Sequence, residues 1–154
     1  MSGCRTLHAI VALHVREADT SFTDTEIIMY SKIGGIKVRE DKLSPQSMDF
    51  AVMIIQLVKQ LKSAHESIIS NQIGRSGTSI GANIREARYA HGKADFISKL
   101  QIALKEANET GYWIELLYRT DYISEDQYKS LDSACTSIRV LLISSLNTAK
   151  GTAQ

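Results

Sequence analysis

Proline occurs once in 154 residues, tryptophan once and cysteine twice, and aromatic residues together make up 6%. A fold of many short strands joined by Pro/Gly turns needs more of the first two, and a disulfide-stapled scaffold needs more of the third. Charge of one sign is missing as well: 18 Lys and Arg against 17 Asp and Glu leave +1. No chain-wide basic field is therefore present to attract nucleic acid or an acidic membrane. No stretch approaches the ~20 apolar residues of a membrane-spanning helix. The apolar run Leu7 to Val15 contains His8 and His14, and Arg16, Glu17 and Asp19 follow where a signal peptide carries small residues. Cys4 and Cys135, isolated and without a Cys-x-x-Cys spacing, suit a reducing cytoplasm. His8, His14, His65 and His91 form no His-x-x-x-His pair and no mixed Cys/His cluster, so neither a structural metal nor a cofactor is expected.

What remains is globular in proportion, 44% hydrophobic and 23% charged, in a length that fits one domain with its own core. The chain divides at Ser44-Pro45. Residues 1–43 have no sustained period and read as an irregular N-terminal extension, with a short hairpin expected near 27–38 around Gly34-Gly35. Met29 stands there as an alternative start, because residues 1–28 lack any pattern the rest needs.

Residues 44–150 are helical by period. The first helix is expected to begin with Ser44 as N-cap and Pro45 in the first turn. Phe50, Ile54, Leu57, Leu61, Ala64 and Ile68 would form its seam. A second helix runs from about Asn71 to Tyr89 on Ile73, Ile80, Ile84 and Ala87, and Ala90-His91-Gly92-Lys93 breaks it. The third carries Phe96, Leu100, Ala103, Ala107, Thr110, Ile114 and Leu117. Ser124-Glu125-Asp126-Gln127 is a capping box opening the fourth, which shows Tyr128, Leu131, Cys135, Ile138, Leu142, Ser145 and Ala149 and ends at Gly151. Four amphipathic helices with short connections predict an all-α, antiparallel up-and-down four-helix bundle.

The second helix has two unusual flanks. Gly74, Gly77 and Gly81 lie together beside its apolar stripe and cost about 1 kcal/mol each relative to Ala, so close approach of a neighbouring helix is expected there. The other flank bears Gln72, Ser76, Ser79 and Asn83, with Arg75 and Glu86 further round, and such groups need partners. Glu106 and Glu109 on the third helix are the natural ones. This line is either a satisfied polar seam or a binding cleft.

Phe50-Ala51, then Gln72-x-x-Arg75-Ser76-x-x-Ser79-Ile80-x-Ala82-Asn83-Ile84-x-Glu86-Ala87, then Asp95-Phe96-Ile97-x-Lys99-Leu100-x-Ile102-Ala103-Leu104-Lys105-Glu106-Ala107-x-Glu109-Thr110-x-Tyr112-Trp113 form one combined pattern. It resembles the bacterial four-helix-bundle proteins of the 23S rRNA intervening-sequence family, over about residues 44–145. The resemblance implies ring-shaped homopentamers and no catalytic residues. The family is also similar to the accessory variability protein of diversity-generating retroelements, a basic pentamer that binds a reverse transcriptase and nucleic acid. A charge of +1 departs from that basic character.

Catalytic signatures are lacking. No Gly-x-Ser-x-Gly elbow and no Gly-Lys-Ser/Thr phosphate loop occurs, and Glu106/Glu109 lack the Glu-x-x-His repeats of di-metal bundles. A non-enzymatic scaffold or adaptor is the first expectation. A small-ligand or metal-dependent enzyme using Glu106, Glu109 and the polar flank is the alternative. Locally, Arg85, Arg88, Tyr89, Lys93 and Lys99 cluster around the end of the second helix. They read as a patch for RNA or an RNA-handling protein, or as an ordinary solvated helix end. Several helices also show a second apolar set: Val52 and Ile55 on the first, Ile102, Trp113 and Leu116 on the third, Val140 and Ile143 on the fourth. Recurring second faces that include a Trp predict self-association.

Overall fold

The computed structural model describes residues 41–151. The expected hairpin near 27–38 and the alternative start at Met29 lie outside them. Within them the chain forms four helices, α1 (Leu43–Ser63), α2 (Ile68–Ala87), α3 (Lys93–Arg119) and α4 (Glu125–Lys150), and no strand. Each helix packs on its neighbours in sequence, and α1 closes more sparsely on α4. The result is the expected antiparallel four-helix bundle.

Its core is made by the 3.6-residue periods. Phe50, Ile54, Leu57 and Leu61 of α1 meet Ile73, Ile80 and Ile84 of α2, Phe96, Leu100, Ile114 and Leu117 of α3, and Leu131, Ile138 and Leu142 of α4, all buried. Fully burying each such side chain contributes about 1.5–3 kcal/mol. Small residues sit where helices come closest. A Cβ at Gly74 would stand 3.2 Å from Val58 of α1, and Gly77 is closer still to that helix. The glycine flank is therefore the contact surface of α2 against α1.

The helix ends depart from the sequence expectation. α1 begins one residue before Ser44, and its cap is Asp41, whose Oδ1 accepts from Leu43 N–H at 3.2 Å and Ser44 N–H at 3.3 Å. Ala64 and Ile68 do not extend the α1 seam. The helix stops at Ser63, and Ile68 starts α2 with 77% of its surface exposed. α2 begins at Ile68 instead of Asn71 because Glu66 reaches forward: its carboxylate accepts from Ile69 N–H at 2.8 Å and Ser70 N–H at 2.7 Å. In α4 the buried position assigned to Ser145 belongs to Leu146.

α1 and α3 end alike. Glu66 N–H reaches Leu61 O across His65, and Tyr122 N–H reaches Leu117 O across Asp121. His65 (φ 59°) and Asp121 (φ 60°) hold the left-handed conformation that closes such ends. The capping box of α4 is formed as expected: Ser124 Oγ accepts from Gln127 N–H, and Gln127 Oε1 accepts from Ser124 N–H.

Candidate interaction surfaces

The antiparallel pairing of α2 and α3 sets the register of the polar flank. Thr110 Oγ1 donates to Ser76 Oγ at 3.0 Å in the buried middle of the seam. One side of it, Arg75 reaches Glu109 at 2.9 Å, and Gln72 Oε1 accepts from the same guanidinium at 3.4 Å. Trp113 Nε1 donates to Glu109 Oε1 at 3.5 Å. On the other side, Lys99 and Glu86 pair at 2.6 Å, which raises the Lys99 pKa, first through that hydrogen bond and then through the charge of Glu86. Asn83 donates to Ser79 O on its own helix at 2.8 Å. The eight residues of the flank therefore resolve into pairs with one exception. Oε2 of Glu106 is shut off from solvent and has no hydrogen-bond partner among the described residues.

The cationic cluster at the α2–α3 connection is split by the fold. Arg88 points back to the start of α1, where it pairs with Asp41 and donates to Ser44 Oγ at 2.6 Å. Lys99 is held by Glu86. Arg85 and Lys93 form no ion pair among the described residues, and Tyr89 beside them is 82% exposed. Five residues that share a stretch of sequence thus divide into two used internally and three presented outward.

The second apolar sets stand on the outer surface. Val52, Ile55, Ile102, Val140 and Ile143 are exposed, and Trp113 and Leu116 are half-buried. Met48 extends the α1 set, at the same helical spacing as Val52 and Ile55. Sequence reasoning did not single out a groove of about 420 Å3 between α1 and α4. Met53, Leu57 and Leu131 are its apolar lining, with Gln56, Gln60 and Gln127 among its polar residues. Gln127 Nε2 donates to Gln60 Oε1 across it at 2.9 Å.

Elsewhere the chemistry is quiet. Among the described residues no three of His, Cys, Asp and Glu come close enough to share a metal, and no helix is long and apolar enough to cross a membrane. Cys135 is buried, its Sγ donates to Ala107 O at 3.3 Å, and burial pushes the thiol up to about 11. A thiol so placed is a poor nucleophile at neutral pH.

Residues 39–144 match the 23S rRNA-intervening sequence protein family, and the chain belongs to that family. It is similar to a protein of unknown function from the S23 ribosomal protein family of Bacteroides thetaiotaomicron VPI-5482, solved by crystallography at 1.70 Å. The two are 56% identical and superpose with a TM-score of 0.68 over 69% of this chain and 99% of the other. No curated protein matches the chain.

Proposed function

We propose that this member of the family is a non-enzymatic, homo-oligomeric scaffold that presents a small basic end to RNA. The observation that carries the reading is the second apolar set. The bundle core is already complete, yet Met48, Val52, Ile55, Val140 and Ile143 remain more than 40% exposed on its outer faces. Large apolar side chains recurring on several outer faces favour burial against another surface, and a second copy is the partner always at hand. Five copies is the number that the family resemblance implies.

The RNA part rests on Arg85, Tyr89 and Lys93. Two cations that form no ion pair among the described residues, beside an exposed aromatic ring, suit phosphate contact and base stacking. A single end with two free cations binds weakly, and assembly multiplies it. The resemblance read from the sequence, through the family, to the accessory variability protein of retroelements implies the same class of partner. Localisation in the cytoplasm follows from the same reading.

Size-exclusion chromatography with light scattering tests the scaffold. The unmodified protein is expected at five subunit masses at micromolar concentration. Replacing Trp113 and Leu116 with Lys is expected to give smaller species that keep their helicity. A monomeric mass for the unmodified protein overturns the scaffold, and another oligomer number overturns the pentamer alone. Failure to bind any RNA at low salt removes the RNA part.

A further inference from the structure

We infer that the subunit contact is head-to-tail, with the outer stripe of α1 in one copy seated on the α2–α3 seam of the next, and with Lys59 received by Glu106. The inference rests on the homo-oligomer reading above and assigns its interface. The first ground is the anion left over in the seam. Glu109 is engaged by Arg75 and Glu86 by Lys99, whereas Oε2 of Glu106 is covered and has no hydrogen-bond partner among the described residues. A carboxylate oxygen in that position is destabilising, and because Glu106 is only half-buried its side chain can turn outward to meet an arriving cation.

The second ground is the stripe that could supply the cation. On the face of α1 opposite its core, Met48, Val52 and Ile55 lead to Lys59 and Lys62, both exposed and in no ion pair among the described residues. On α4, Val140 and Ile143 repeat the spacing of Val52 and Ile55, but Asn147 stands where α1 has Lys59, and only Lys150, at the position of Lys62, is a cation.

The third ground is register. Ile55, Lys59 and Lys62 are spaced by four and then three residues, and Ile102, Glu106 and Glu109 repeat that spacing. With the helices parallel, Lys59 on Glu106 places Ile55 on Ile102 and Lys62 near Glu109. Arg75 and Trp113 both bind Oε1 of Glu109, leaving Oε2 for that second cation. The parallel sense agrees with a ring. α1 and α3 run the same way within one bundle, and a cyclic rotation well short of a half-turn preserves that sense between neighbours. Two different faces in contact are also what a closed ring with more than two members requires.

Charge exchange tests the pairing. Lys59→Glu and Glu106→Lys, each alone, are expected to lower the mass by light scattering to that of a single subunit at micromolar concentration. The two together are expected to restore the unmodified mass. Circular dichroism confirms that each variant keeps its helices. If the unmodified protein is oligomeric and neither single change lowers its mass, or the double change fails to restore it, this interface is overturned while the scaffold stands. A monomeric unmodified protein overturns both. A second measurement avoids charged variants: Ile55→Cys with Ile102→Cys, in a chain carrying Cys4→Ser, is expected to give a ladder of covalent multimers on mild oxidation. Absence of the ladder from an oligomeric sample overturns the register.

Discussion

Gly77 of α2 faces Ile54 of α1 so closely that a Cβ added to the glycine would stand 2.8 Å from Ile54 Cγ1 and 2.9 Å from Cγ2. Ile54 is fully buried, and its own Cβ would be only 3.3 Å away, so the side chain has little room to move. Gly77→Ala gains about 1 kcal/mol of helix propensity and loses about 1–3 kcal/mol to overpacking. The expected outcome of chemical denaturation is a net loss. Gly81 is the control: the nearest atom to its Cβ would be Ser47 O at 3.5 Å, an ordinary contact. Gly81→Ala is expected to stabilise by about 0.5–1 kcal/mol.

Glu66 opens α2 from outside the helix, and two of the first amides depend on its carboxylate. Glu66→Ala is expected to cost about 1–2 kcal/mol, the scale of a lost N-cap. Glu66→Gln keeps one acceptor and is expected to cost less. Urea midpoints at constant slope check the order of the three proteins.

Arg88 and its neighbours Arg85 and Lys93 are expected to fail differently. Arg85→Ala with Lys93→Ala should leave stability unchanged within about 0.5 kcal/mol, as for surface positions. It should weaken RNA binding and reduce the log–log salt slope by about 0.7 for each single-strand phosphate that is no longer neutralised. Arg88→Ala instead frees Asp41 and Ser44 at the start of α1. It is expected to lower stability by roughly 0.5–1.5 kcal/mol, with the half-exposed site keeping the figure small. Melting curves beside filter binding at several salt concentrations separate the two.

Cys135 links stability to alkaline pH. Burial raises its folded pKa to about 11, so above the ordinary thiol value the unfolded chain loses this proton first. Stability from this group is complete below that value and is lost as pH rises toward 11, on the order of 2–3 kcal/mol. Cys135→Ala is expected to remove that part of the alkaline decline, measured as the difference between the two denaturation profiles. Iodoacetamide at pH 8 should leave Cys135 of the folded protein unmodified.

The core was legible because it is periodic: Phe96, Leu100, Ala103, Ala107, Thr110, Ile114 and Leu117 of α3 are all buried as their spacing predicts. Ser124 and Gln127 were legible because a capping box is local. Asp41 and Glu66 were not, since each caps a helix that its position in the sequence does not mark. The ends of α1 and α3 place His65 and Asp121 where glycine is the usual sign, so no signal stood there to be found. In α4, Ser145 continued the step count, but the apolar Leu146 takes the buried place one residue on. The polar flank of α2 could be named as a group. Which carboxylate stays unpaired depends on the α2–α3 register, and that register is tertiary. The fate of Arg88 was hidden for the same reason, because its partner Ser44 lies 44 residues away.

The sparse closure of α1 on α4 is the line along which the bundle is expected to open first. Contacts across it join segments far apart in the chain, whereas α2 and α3 are sequence neighbours and the most closely engaged pair. Amide exchange is expected to sort the helices accordingly. Deuterium should enter α1 and α4 through partial openings that leave the α2–α3 hairpin protected until global unfolding. In an assembled ring whose contacts cover α1, that order of release would be set by the neighbouring copy as much as by the bundle itself.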